Sequence, residues 1–263
     1  MARRVAEPAI APKGPEALAR MRRAGALVAE TLALLRARCV PGVTTTELDR
    51  LAREHIAGRG GIPSFLGVPG PIPYPGAICA SVNEEIVHGI PGPRELRDGD
   101  IISIDVGAIL DGWHGDAAIT VPVGAVGEEV ARLIRDTEAA LAAGIDAARA
   151  GNRLADISAA VQRVARRGGY GVVRQYGGHG IGRSMWEEPH VPNYLVRGAG
   201  SGPTLRPGMT LTIEPMFTLG SPDTAPLPDG WTVVTRDGSP AAHAEHTIAI
   251  AARGPAEILT QIA

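Results

Sequence analysis

Four carboxylates and one imidazole make up the group of residues in this chain best suited to chemistry. Asp105 and Asp116 lie in IDVGAILDGWHGD, His179 in GGHGIGR, Glu214 in LTIEPM at a strand end, and Glu245 in AEHTIAI at a strand start. Each has a plain structural alternative, since a histidine among glycines is more often structural or exposed and a strand-end glutamate is more often a surface charge. Together they form an oxygen-rich donor set with a single imidazole. Such a set suits two hard or borderline divalent ions sharing bridging carboxylates better than one structural zinc.

The two aspartates are placed by a turn. Asp111-Gly112 is a type I′ signal between two runs of alternating polarity, so Ile101–Leu110 and Trp113–Val121 are predicted as a β-hairpin. With Leu110 opposite Trp113, Asp105 falls opposite Ala118 and Asp116 opposite Gly107, which makes the aspartates diagonal neighbours on one face. Ser103, His114 and Thr120 share that face; Ile102, Ile104, Val106, Trp113, Ile119 and Val121 occupy the other and form the core side. Aspartate is depleted in strands, and like charges this close repel, so a cation between them is a natural reason for the pair. A solvated polar face is the other reading, and the hairpin alone leaves both open.

The rest of the chain must position these residues. Residues 1–14 carry two prolines and no amphipathic period, and are expected to be a mobile tail. Leu18, Met21, Leu27, Val28, Leu32 and Leu35 then form a helical stripe to about Arg38. Thr44-x-x-Glu47 is a capping box opening a second helix, which Gly58-Arg59-Gly60-Gly61 stops. Residues 62–77 read as a Pro/Gly loop, followed by a short strand at Ile78 and the hairpin. A third helix covers residues 127–150; a fourth, with Leu154, Ile157, Val161 and Val164 inward, ends at Gly168-Gly169. Strands return at Thr210–Glu214, Trp231–Thr235 and His246–Ile250. The order of helices, strands, helices and strands predicts an α+β fold of two similar halves, with antiparallel sheets covered by helices on one side. No linker divides the halves, so residues 15–263 are expected to form a single domain.

Composition limits the function classes. Lys+Arg 26 against Asp+Glu 28 gives a formal charge of −2, which offers no electrostatic case for nucleic acid or an anionic membrane. Hydrophobic content of 44% supports a sizeable core, and no apolar run approaches the ~20 residues of a membrane span. Cys39 and Cys79 cannot make a disulfide framework, and the amino terminus lacks a signal-peptide core, so a cytoplasmic setting is the expectation.

In their order and contexts the five residues resemble the type I methionine aminopeptidases of the pita-bread metallopeptidase fold. The resemblance runs from about Pro15 to the carboxyl terminus, through SVNEEIVHGIP, GDIISIDVGAILDGWHGD, GGHGIGR, TIEPM and GWTVVT with AEHTIAI. It implies an enzyme that binds two divalent ions per chain, drawn from Co, Mn, Fe or Zn, and removes an initiator methionine before a small second residue. Asp105, Asp116, His179, Glu214 and Glu245 would be the metal ligands, with Glu214 also the acid/base for the attacking water. His88 would hydrogen-bond the peptide beyond the metals. Tyr74, Cys79, Met185 and Trp231 would wall the methionine pocket, with Cys79 a small apolar wall rather than a nucleophile. The implied partners are peptide or nascent-protein amino termini, with ribosome association open, no membrane, and a monomeric chain.

This sequence departs from the family pattern in three places. Pro71 stands where an aromatic is frequent, Met185 where Phe is usual, and Trp186 where the family has a second catalytic histidine that contacts the substrate carbonyl. An indole N–H donates but cannot accept or shuttle a proton, so Trp186 keeps at most part of that role. His55, His114, His190, His243 and His246 match no family position and are read as structural. Two alternatives follow: a hydrolase of the same fold with a changed substrate, and a pita-bread protein that binds peptide without catalysis.

Overall fold

The computed structural model describes residues 10–262. The first half opens with α1 (Pro15–Arg36) and α2 (Thr45–Gly58). Pro15 starts α1 where its missing N–H is no loss, and Thr44 caps α2 by accepting from Glu47 N at 3.2 Å. Strands β1 (Ile62–Pro63), β2 (Ile78–Val82), β3 (Glu85–Val87), β4 (Ile101–Leu110) and β5 (Trp113–Pro122) follow. Strand β4 pairs antiparallel with β5 along one edge and with β2 and then β1 along the other.

The second half repeats the order with α3 (Glu128–Ala147) and α4 (Leu154–Gly168), then β6 (Gly171–Val172), β7 (Gly178–Gly180), β8 (Glu187–Val191) and β9 (Thr210–Ile213). It continues through β10 (Met216–Thr218), β11 (Thr224–Pro226), β12 (Val233–Thr235), β13 (Ala241–His243), β14 (His246–Ala249) and β15 (Glu257–Ile258). Its largest sheet runs β15-β14-β9-β7-β8. Each half has its own core. Leu27, Val28, Leu48 and Ile56 of α1 and α2 pack on Ile102, Ile104, Val106 and Val121 of the hairpin, while Leu133, Ile145, Ile157 and Val161 of α3 and α4 pack on Leu211, Ile213 and Ile248. The predicted α+β architecture of two similar halves is the one observed.

The hairpin keeps the predicted register: Leu110 faces Trp113, Asp105 faces Ala118, and Asp116 faces Gly107. Asp111 and Gly112 both take positive φ, 52° and 73°, as a type I′ turn demands. The two halves are stitched beside this hairpin. Ala118 and Glu245 exchange backbone hydrogen bonds, Glu245 N donating to Ala118 O at 2.8 Å and Ala118 N to Glu245 O at 3.3 Å. Thr247 Oγ1 accepts from Asp116 N and donates to Asp116 O. Thr120 Oγ1 bridges the N–H and carbonyl of His243 in the same way. Threonine hydroxyls thus replace the sheet ladder at the seam and fix the strands that carry acidic side chains.

Several expectations are corrected. Residues 62–77 are not all loop: Ile62 and Pro63 pair with Ile109 and Ala108, and Pro63 is tolerated because β1 is an edge strand. The strand expected at Trp231–Thr235 begins only at Val233, because Asp229 accepts from the N–H groups of Trp231 and Thr232 and holds both in a turn. Of the expected tail, residues 1–9 lie outside the described residues. Its end is docked: Lys13 N donates to Gly208 O at 2.7 Å and Lys13 Nζ reaches Glu187 at 2.6 Å.

Candidate active site

The hairpin's polar face opens into a cavity of about 310 Å³ lined by residues of both halves. Asp105, Asp116, His179, Glu214 and Glu245 all border it, so the structure gathers the five predicted donors from four separate segments. His179 Nε2 lies 3.7 Å from Asp116 Oδ2 and 3.7 Å from Glu214 Oε1. Asp116, His179 and Glu245 each offer a donor atom within 4.8 Å of the others.

Local structure aims these side chains. His179 sits on β7, where its N–H donates to Thr212 Oγ1 and its Nδ1 faces Gly180 O at 2.9 Å. A proton on Nδ1 satisfies that carbonyl and leaves Nε2 with a lone pair toward the carboxylates, the arrangement of a metal-binding imidazole. Gly178 lets β7 lie this close to β9, because a Cβ there would stand 2.2 Å from Thr212 O. Thr212 also donates its hydroxyl to Glu214 Oε1 at 3.0 Å, and Asn193 Nδ2 donates to Glu214 O at 2.9 Å.

The electrostatics ask for cations. Burial pushes the carboxyls of Asp105, Asp116, Glu214 and Glu245 above the usual carboxylate range, and neighbouring carboxylates raise Asp105 and Glu245 further. Asp105 Oδ1, Asp116 Oδ1 and Glu245 Oε1 are buried without a hydrogen-bond partner. Such oxygens are costly unless protons or cations meet them. Metal–ligand bonds of about 2.0–2.2 Å allow donors on one ion to lie up to about 4.4 Å apart, so the His179 pairs fit a divalent ion.

The expected peptide-binding residues fall into two groups. His88, Tyr74, Cys79, Trp186 and Trp231 line the cavity, whereas Met185 does not: it is buried beside it, packed with Phe65, Cys79 and Tyr74. Phe65 also lines the cavity. Trp231 meets Tyr74 edge to face at 5.1 Å and donates its indole N–H to Ile72 O. Gly70 makes room for that indole, since a Cβ would come within 2.3 Å of it. Burial and the nearby Asp105 carboxyl push the Cys79 thiol up, which keeps it protonated and suits an apolar wall. His88 holds a left-handed φ of 60° immediately before Gly89, and burial pushes its imidazole down to about 4, so the ring is neutral. It meets Tyr176 and Trp231 edge-on.

Sequence reasoning missed Phe65, Tyr176, His190 and His243, all of which border the cavity. Phe65 was hidden in the presumed loop. His243 had a weak signal, since its spacing from Glu245 is that of two residues on one strand face. Trp186 stands at the cavity mouth, 55% exposed, with its ring 6.4 Å from that of His179.

A cluster of carboxylates and an imidazole at the seam of two like α+β halves is the arrangement of the pita-bread fold. The chain belongs to metallopeptidase family M24, whose model matches residues 19–252. It is 51% identical to a methionine aminopeptidase of Clostridium perfringens over 92% of this chain and 95% of that protein. It is 48% identical to methionine aminopeptidase 1 of Bacillus subtilis, covering 95% and 98% of the two chains. The crystal structure of the methionine aminopeptidase of Thermotoga maritima superposes with a TM-score of 0.92 at 42% identity, covering 96% of this chain and all of that one, 100%. A prolidase of Pyrococcus furiosus shares the fold at a TM-score of 0.74 and 19% identity, over 95% of this chain and 65% of that one.

Proposed function

We propose that the chain is a methionine aminopeptidase that removes the initiator methionine from peptides or nascent proteins with a small second residue. One observation carries this reading: five donors, Asp116, Glu214 and Glu245 buried and Asp105 and His179 half-buried, converge beside a mainly apolar cavity large enough for a methionine side chain. The similarity to curated methionine aminopeptidases over most of both chains supports it.

Asp105, Asp116, His179, Glu214 and Glu245 would hold two divalent ions. Such ions supply a Lewis acid that activates water, holds the free amine and polarises the scissile carbonyl. Glu214 takes the proton of the attacking water and delivers it to the leaving amine. Burial raises the proton affinity of its carboxylate, which suits a group that must accept that proton. His88, neutral and fixed between Tyr176 and Trp231, hydrogen-bonds the peptide beyond the metals. Phe65, Tyr74, Cys79 and Trp231 bound the side-chain pocket and exclude water from it. Among the described residues no helix is long and apolar enough to cross a membrane.

Trp186 favours a second reading, a hydrolase of the same fold with a changed substrate, because an exposed indole at the mouth is free to stack on a substrate. Digestion of a peptide library by the metal-reconstituted protein separates the two. Release of methionine from Met-Ala peptides supports the first reading, cleavage before proline or of another bond supports the second, and silence contradicts both.

A further inference from the structure

His243 ends β13 beside the cavity, opposite Met216 of β10. It is only 2% exposed, and its Nε2 is buried with no hydrogen-bond partner. That nitrogen lies 4.0 Å from Glu214 Oε2 and 4.0 Å from Glu245 Oε2. Glu214 Oε1 meanwhile faces His179 Nε2 at 3.7 Å. The Glu214 carboxylate therefore stands between two imidazoles and turns one oxygen toward each.

A 4.0 Å separation is too long for a hydrogen bond. It is within reach of two donors on one ion, whose bonds of about 2.0–2.2 Å span up to about 4.4 Å. The backbone of His243 is also fixed, because Thr120 Oγ1 both accepts from its N–H and donates to its carbonyl. Leaving a buried imidazole nitrogen unpaired beside two carboxylates is unfavourable, and coordination removes the deficit.

We propose that His243 Nε2 is a sixth protein ligand of the metal centre, joining it beside the Glu214 and Glu245 carboxylates that it faces. The inference rests on the dinuclear reading given above. The centre would then carry two imidazoles, which shifts it toward borderline ions such as Co, Fe and Zn relative to a cluster with a single histidine.

Extended X-ray absorption of the cobalt-loaded protein counts imidazoles directly. The expected result is two cobalt ions per chain with an average of about one imidazole each, falling to about half in His243→Ala. Calorimetry should show the second cobalt equivalent weakened by at least ~10–100-fold in that variant, a loss that even residues behind the ligands can cause. Circular dichroism verifies its fold; if it does not fold, the wild-type count alone decides. Two ions sharing one imidazole in the wild type, or an unchanged count in folded His243→Ala, overturns the role of His243 and leaves the dinuclear reading intact. Fewer than two ions bound overturns both.

Discussion

Replacing Trp186 with histidine should raise catalytic rate. The indole ring is 55% exposed at the cavity mouth, so its removal takes away little packing, and stability should change by no more than ~0.5 kcal/mol. Its ring centre is 6.4 Å from that of His179, one side chain away from the predicted ligands, where the resembling family places an imidazole against the scissile carbonyl. A hydrogen-bond donor aimed at developing negative charge is worth roughly 10²–10³ in rate, or about 3–4 kcal/mol. The indole N–H can supply part of this, so Trp186→His should raise kcat on a Met-Ala-Ser peptide by about 10–100-fold. The smaller ring also opens the mouth, so kcat and KM must be measured separately in protein of verified metal content. A folded, fully metallated variant with equal or lower kcat would refute the reasoning and assign Trp186 to recognition of a different substrate.

Asp105→Asn removes a charge from the buried cluster and should abolish hydrolysis and lower metal retention; elemental analysis showing wild-type stoichiometry, with near-wild-type rates, would exclude Asp105 as a ligand. Gly178→Ala sets a Cβ 2.2 Å from Thr212 O, a backbone atom that cannot swing away. It should cost about 3 kcal/mol and lower Tm by ~5–10 °C, which a thermal melt within a degree of wild type would contradict. Metal-free protein should lose stability as pH rises, because Glu214 is pushed from an ordinary 4.5 to about 7 in the folded chain. Between those values the folded state keeps a proton that the unfolded state has released, so melts from about pH 5 to about pH 7.5 should show falling Tm that added divalent metal reverses. A flat profile in metal-free protein would show that the carboxylates ionise freely. Substrate should need a free amino terminus and a small second residue; rapid cleavage of N-acetyl-Met-Ala-Ser, or equal rates with Ala and Trp in second position, would contradict that.

The hairpin was the most legible part of the sequence because its signals are local. Asp111-Gly112 admits one turn geometry, the alternation on either side admits one register, and the two aspartates follow by counting. The four helices were legible for the same reason, each having a stripe, a cap or a glycine stop. The short strands were not. Strands such as β1, β7 and β13 are two or three residues long and owe their pairing to neighbours far along the chain, so no period announces them. Phe65 follows the short strand in which Ile62 and Pro63 pair with Ile109 and Ala108, and it and the methyl end of Met185 pack against Gly107, where a Cβ would crowd both. The place of His243 on the cavity wall was not legible, since its neighbours, Thr120 across the seam and Glu214, are not visible from its own segment.

Release of free methionine from Met-Ala-Ser, followed while divalent metal is titrated into metal-stripped protein, tests the central claim most directly. Stripped protein should be silent, and activity should appear with added metal and disappear again on chelation. Methionine release by the metal-free chain, or no release by the fully metallated one, would contradict it.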